Sequence, residues 1–60
     1  MRALVVGSAG QLGSEVVAVL RRQGAEVVGL DRPDIDIADA DSVAAAFAIS
    51  EPDVVVNCAA

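Results

Sequence analysis

The residues best equipped for chemistry are Gly7, Gly10 and Gly13, spaced Gly-x-x-Gly-x-x-Gly, with the carboxylates Asp31 and Asp36 downstream. Glycines at such intervals let a chain turn tightly with backbone N–H groups facing an anion, and a helix that starts there adds its dipole. The chemistry this suits is phosphate binding. Between a strand and a helix each glycine has a task. Gly7 turns the chain at the strand end, Gly10 lets the backbone approach a pyrophosphate, and Gly13 lets the helix pack close to the sheet. Gly7, Gly10 and Gly13 are therefore the candidate glycines of a dinucleotide-binding turn. Any strand-to-helix turn uses a glycine or two, so the reading depends on what flanks them.

Both flanks are of the required kind. Ala3-Leu4-Val5-Val6 is β-rich and uninterrupted, as in a parallel strand buried on both faces. Beyond the turn, Leu12, Val16, Val17, Val19 and Leu20 fall on one side of a helix from about Gln11 to Arg22, with Gly24 as its stop. Arg21 and Arg22 occupy the last turn, where cations suit the helix dipole. Glu26-Val27-Val28-Gly29-Leu30 is a second strand, closed by Asp31-Arg32-Pro33-Asp34 because proline fixes φ and pushes its predecessor away from helix. A short extended piece from Ile35 to Ile37 leads to Asp39, placed to cap a helix from about Ala40 to Ile49 that packs through Val43, Ala46 and Phe47. Glu51-Pro52-Asp53 breaks that helix, and Val54-Val55-Val56 is a third strand that runs into Asn57-Cys58-Ala59-Ala60.

The order strand, helix, strand, helix, strand implies an α/β fold. It is a Rossmann-type βαβαβ half of a doubly wound parallel sheet, incomplete in this chain, with right-handed crossovers. In the dinucleotide-binding order the first strand lies between the second and a fourth. With no fourth strand read from the sequence, the first strand is expected to leave an apolar edge unpaired.

Asp31 follows the second strand, near the ~20-residue separation from the glycine turn at which an acid hydrogen-bonds the adenosine ribose of a dinucleotide. A carboxylate there repels a 2′-phosphate, whereas the adjoining Arg32 can pair with one, so these two residues leave NAD and NADP unseparated. Asp31 also has a plainer reading as a solvated turn residue, and Arg32 as a surface charge. Asp39 and Asp41 suit a helix start. Asp36 differs, because it precedes Ile37 beside the adenine end of the site, where a carboxylate can accept the adenine amino group and Ile37 can add an apolar wall. The acids lack the glycine and terminal glutamate of a calcium loop, and no metal is implied.

Composition narrows the function classes. Nine carboxylates against four arginines leave a net charge of −5, and no basic patch with interleaved aromatics invites nucleic acid. A dinucleotide remains compatible, since its pyrophosphate is met mainly by neutral amides. The single Cys58 forms no intrachain disulfide and suits a reducing compartment. The apolar runs fall short of a membrane span or signal-peptide core, so the expected location is cytoplasmic, with no membrane partner. A chain of 60 residues buries only about 60% of its unfolded surface, which makes it one unit at most and a marginal one.

With the glycine turn, Gln11, Asp31, Asp36-Ile37-Ala38-Asp39 and Pro52-Asp53-Val54-Val55-Val56-Asn57-Cys58-Ala59-Ala60 in place, the chain resembles the start of the dTDP-4-dehydrorhamnose reductase family. The glycine spacing by itself resembles only the wider short-chain dehydrogenase/reductase superfamily and its extended, sugar-nucleotide branch. The resemblance runs essentially from Met1 to Ala60 and makes residues 1–60 the N-terminal part of an NAD(P)-binding Rossmann domain. The remaining cofactor and substrate domains would lie outside it. It implies a reductase that uses NADPH or NADH to deliver hydride to the 4-keto group of dTDP-4-dehydrorhamnose, giving dTDP-L-rhamnose for cell-surface polysaccharide. Gly10, Gln11 and Leu12 then match the pyrophosphate turn, Asp31 the ribose contact, Asp36 and Ile37 the adenine contacts. Ala59 and Ala60 match the strand end along the cofactor near its nicotinamide half. Cys58 stands where the family often has a small residue and is expected to be a buried, inert thiol. The implied partners are the dinucleotide and a dTDP-sugar, and a homodimer of the complete protein stays open.

The superfamily supplies its proton from a Tyr-x-x-x-Lys pair with a nearby Ser or Thr, and this chain has no tyrosine, lysine or histidine. Ser8 belongs to the phosphate turn, and Ser14, Ser42 and Ser50 read as helix-surface, helix-start and helix-exit residues. No catalytic residue is assigned, and the 60-residue chain alone is expected to be inactive. Two other enzyme readings share this half-fold, a sugar-nucleotide epimerase and a dehydratase of the same superfamily. A non-catalytic nucleotide-binding regulatory subunit and a piece that binds nothing are the readings outside enzymes.

Overall fold

An apolar run without polar interruption makes a strand that can be covered on every side, and β1 (Arg2–Val6) is such a strand in the computed structural model. Its Ala3, Leu4 and Val5 have no exposed surface. The structure describes residues 1–31 and 35–59, and so leaves the Arg32, Pro33, Asp34 and Ala60 readings outside the described residues. After β1 come α1 (Gln11–Arg22), β2 (Glu26–Leu30), α2 (Ala40–Ser50) and β3 (Val54–Asn57).

Local chemistry ends each helix where the sequence leads one to expect. At the end of α1, Gly24 N–H donates to Arg21 O (3.0 Å) and Ala25 N–H to Leu20 O (3.1 Å), a Schellman arrangement with Gly24 at φ +87°. Asp39 Oδ1 caps α2 by accepting from Asp41 N–H at 3.0 Å. The same helix stops on Glu51, which adopts a left-handed φ of 45° although it is not glycine. Pro52 follows at once, so the chain leaves the helix there.

The three strands are parallel in the order β2-β1-β3, with Leu4 opposite Val28 on one side and Val55 on the other. This corrects the expected unpaired edge on β1. From β2 the right-handed crossover through α2 carries the chain back across β1, so β3 itself takes the position reserved for a fourth strand. The extended piece at Ile35–Ile37 joins none of the described strands, and Ile37 lies in a turn. Leu4, Val6, Ile35 and Ala46 form the core on the α2 side, with Val28, Leu30 and Val43 packed on it. Alternation puts Ala3 and Val5 on the opposite face, toward α1.

The helices bury less than their apolar patterns suggest. On α1 the expected stripe splits, with Leu12 61% and Val19 42% exposed while Val16, Val17 and Leu20 are half-buried. The stripe is wider than the strip of sheet beneath it. On α2, Val43 and Ala46 pack as expected, but Phe47 leans out with 43% of its surface exposed. At the N-terminal ends of the strands Arg2 gathers three segments. Its N–H donates to Asp53 Oδ2 (2.7 Å), its Nε to Glu26 Oε2 (3.2 Å) and its guanidinium to Ser50 O (3.1 Å).

Candidate functional site

Ligands of open α/β sheets sit outside the carboxyl ends of the strands, and there the chain brings Gly7, Asp31 and Ala59 side by side. Gly7 N–H continues the β1–β2 ladder to Leu30 O (2.8 Å), and Cys58 N–H binds Val6 O (2.8 Å) on the other side. Gly7 then turns away at φ +79°, where a Cβ would lie 2.8 Å from Ala59 N and 2.9 Å from Cys58 C. Only glycine meets both demands. A Cβ on Gly13 would strike Gly7 O and come within 2.9 Å of Ser8 Cα, so the close approach this glycine permits is of helix to turn.

Gly10 presents the opposite case. A Cβ there would meet only Gly7 O, at 3.5 Å, and the residue is exposed. Gly10 is also the N-cap of α1, with extended backbone, no side-chain cap and no acidic residue in the first helical turn. The first N–H groups of α1, at Gln11 and Leu12, therefore meet no carboxylate of their own helix. A helix start with free approach and no acidic residue in its own first turn suits a phosphate group. The cradle fits the pyrophosphate of a dinucleotide.

Asp31 is tied into the same turn. Its Oδ2 accepts the Ser8 hydroxyl at 2.7 Å, and both carboxylate oxygens accept from Ala9 N–H at 3.0 Å. The end of β2 is thus fastened to the glycine turn by a charged hydrogen-bond set. Sequence reasoning placed Asp31 and the turn separately and missed this link. The available signal was Gly29, a glycine inside a strand, which marks a close approach by something else. Here the approaching group is the Ser8 side chain, 2.6 Å from where a Gly29 Cβ would sit.

Asp36 is hydrogen-bonded to its own segment and to the start of α2. Asp36 Oδ1 accepts Ala38 N–H (3.0 Å), and Asp36 N–H donates to Ser42 Oγ (2.9 Å), so the exposed carboxylate shapes its own turn. Ile37 lines an apolar slot of about 230 Å³ with Val6, Phe47, Val55 and Asn57. Ala59 is exposed and donates its N–H to Asn57 Oδ1 (3.0 Å). Cys58 is half-buried where full burial was expected, because the strand end lies at the rim of the sheet. Ser14 and Ser50 hydroxyls bond carbonyls of their own helix, Gln11 O and Ala46 O. Among the described residues no group of acidic, cysteine or histidine side chains is arranged to hold a metal ion, and no helix is long and apolar enough to cross a membrane.

Comparison with known proteins gives a consistent set of relatives. The family model described as the RmlD substrate binding domain matches residues 1–60. The chain is 49% identical over 59 residues to a dTDP-4-dehydrorhamnose reductase of Streptomyces griseus, covering 98% of this chain and 19% of the relative. It is 48% identical over 59 residues to a dTDP-4-keto-6-deoxy-D-glucose reductase of Streptomyces niveus, covering 98% and 20%. The solved structure of a dTDP-4-dehydrorhamnose reductase from Clostridium acetobutylicum superposes with a TM-score of 0.90 at 40% identity, over 100% of this chain and 21% of that one. The chain spans about one-fifth of the length of the curated relatives it matches.

Proposed function

The chain belongs to the RmlD substrate binding domain family, and on that premise we propose that residues 1–60 are the N-terminal part of an NAD(P)-binding Rossmann domain. The protein they serve is an NADPH- or NADH-dependent reductase of dTDP-4-dehydrorhamnose. The observation that carries this reading is the uncapped start of α1 beside Gly7, which is pinned between the ends of β1 and β3. Backbone N–H groups at Gln11 and Leu12 hold the pyrophosphate, and Gly10 keeps the approach open. Asp31 accepts from the adenosine ribose. Asp36 and Ile37 flank the adenine, and Ala59 runs beside the nicotinamide half. Arg32 and Ala60 belong to the same proposed set by their places in the sequence.

The dinucleotide, when bound, supplies a hydride for the 4-keto carbon of the dTDP-sugar. What these residues contribute is binding and orientation, and orientation has a large effect on a bimolecular transfer. The proton for the new alcohol comes from outside residues 1–60, which hold no tyrosine or histidine. The half-buried thiol of Cys58 suits a reducing cytoplasm. The test is turnover of dTDP-4-dehydrorhamnose by the full-length gene product, followed by loss of reduced-nicotinamide absorbance and by dTDP-L-rhamnose formation. Dinucleotide binding with no consumption of this sugar nucleotide would overturn the substrate assignment and leave the cofactor assignment standing.

A further inference from the structure

The bend by which the chain leaves β3 is made by a side chain. Asn57 Oδ1 accepts the N–H of Ala59, two residues on, at 3.0 Å, and the N–H of Cys58 between them donates to Val6 O at 2.8 Å. An asparagine bonded to its own backbone two residues ahead closes a turn without glycine or proline. Burial does not call for an asparagine there, since Asn57 is exposed. The bend also rests on the glycine turn, because a Cβ on Gly7 would lie 2.8 Å from Ala59 N, 2.9 Å from Cys58 C and 3.1 Å from Ala59 Cα. Two hydrogen bonds and the bare face of Gly7 thus hold the Cys58–Ala59 peptide.

We infer that Asn57 is a positioning residue, which keeps the Cys58–Ala59 peptide against Gly7 and so sets the nicotinamide half of the cofactor for hydride transfer. The inference rests on the dinucleotide reading of the turn. Gly7 is where the segment proposed for the pyrophosphate meets the segment proposed to run beside the nicotinamide. Both N–H groups of the β3 exit are used within the protein, so Asn57 acts on the cofactor through the backbone and not by contact. Without the carboxamide oxygen the Ala59 N–H turns to water, and the exit is free to shift. The hydrogen bonds that fasten the glycine turn to Asp31 do not run through Asn57, so the shift is felt at the nicotinamide and not at the pyrophosphate. Transfer of hydride depends on alignment more steeply than binding does.

The test compares full-length wild type, Asn57→Ala and Asn57→Asp by the affinity for NADH and NADPH, the fluorescence anisotropy of the bound reduced nicotinamide, and kcat with dTDP-4-dehydrorhamnose. Aspartate keeps an acceptor oxygen at the same place on the side chain. Asn57→Ala is expected to bind the dinucleotide with unchanged affinity, to lose anisotropy of the bound nicotinamide, and to lower kcat by about tenfold or more, as a small misplacement of reacting groups does. Asn57→Asp restores both readouts. Unchanged anisotropy in Asn57→Ala, or an aspartate variant as impaired as the alanine one, would overturn the inference. So would an affinity that falls in step with kcat, or an alanine variant that no longer folds, since either marks a merely structural asparagine. A wild type that binds neither dinucleotide removes the cofactor reading itself, and this inference with it. A wild type that binds one of them and does not consume the sugar nucleotide removes only the substrate assignment, and the anisotropy of the variants then decides.

Discussion

At the scale of single residues, each glycine of the turn meets a different constraint, and the constraints separate folding from binding. Gly7 combines φ +79° with a Cβ direction blocked by Ala59 N at 2.8 Å. Gly7→Ala is expected to destabilise the protein by about 2 kcal/mol or more, read from denaturant unfolding. Gly10 is open and stands at the N-cap of α1. Gly10→Asp is therefore expected to leave thermal stability unchanged or slightly raised, since aspartate is a good N-cap. The same carboxylate sits where the pyrophosphate is proposed to lie, so dinucleotide affinity falls by more than about tenfold in a titration. The turn was legible in the sequence because backbone constraint is written directly in residue type. The Ser8–Asp31 link was not, because it depends on two segments meeting through space.

At the scale of elements, the five strands and helices were legible from periodicity and punctuation, including the Gly24 stop and the Asp39 cap. Asp39→Ala is expected to cost about 1 kcal/mol of stability through loss of that cap. Glu51 holds a left-handed backbone at φ 45° with a side chain that disfavours it. Glu51→Gly is accordingly expected to stabilise the fold by about 0.5 to 1 kcal/mol, visible as a shift in denaturation midpoint at unchanged slope. Strand order was the element-scale property that periodicity could not convey. Val54-Val55-Val56 reads as a buried strand wherever it sits, and only the direction of the α2 crossover places it against β1. The extent of helix burial was hidden for a related reason. Leu12 and Val19 have the right spacing for a buried face, but three short strands do not cover that width.

At the scale of the whole molecule, apolar surface remains at Leu12, Val19, Phe47, Ile49, Val54 and Val55, on both helices and along β3. A folded chain this small gains little from burial, and such surface favours further packing. A polypeptide of residues 1–60 alone is expected to turn over no NADPH in the presence of dTDP-4-dehydrorhamnose, because it holds no tyrosine, lysine or histidine to serve a proton transfer. Spectrophotometric assay of that polypeptide checks the statement. The central claim is that the start of α1, Gly7 and Asp31 form one dinucleotide site. Its most direct test is a crystal structure of the full-length protein grown with NADH. The expected result is a pyrophosphate against the N–H groups of Gln11 and Leu12, with the adenosine ribose on the Asp31 carboxylate. A dinucleotide bound elsewhere, with the glycine turn empty at saturating concentration, would contradict it.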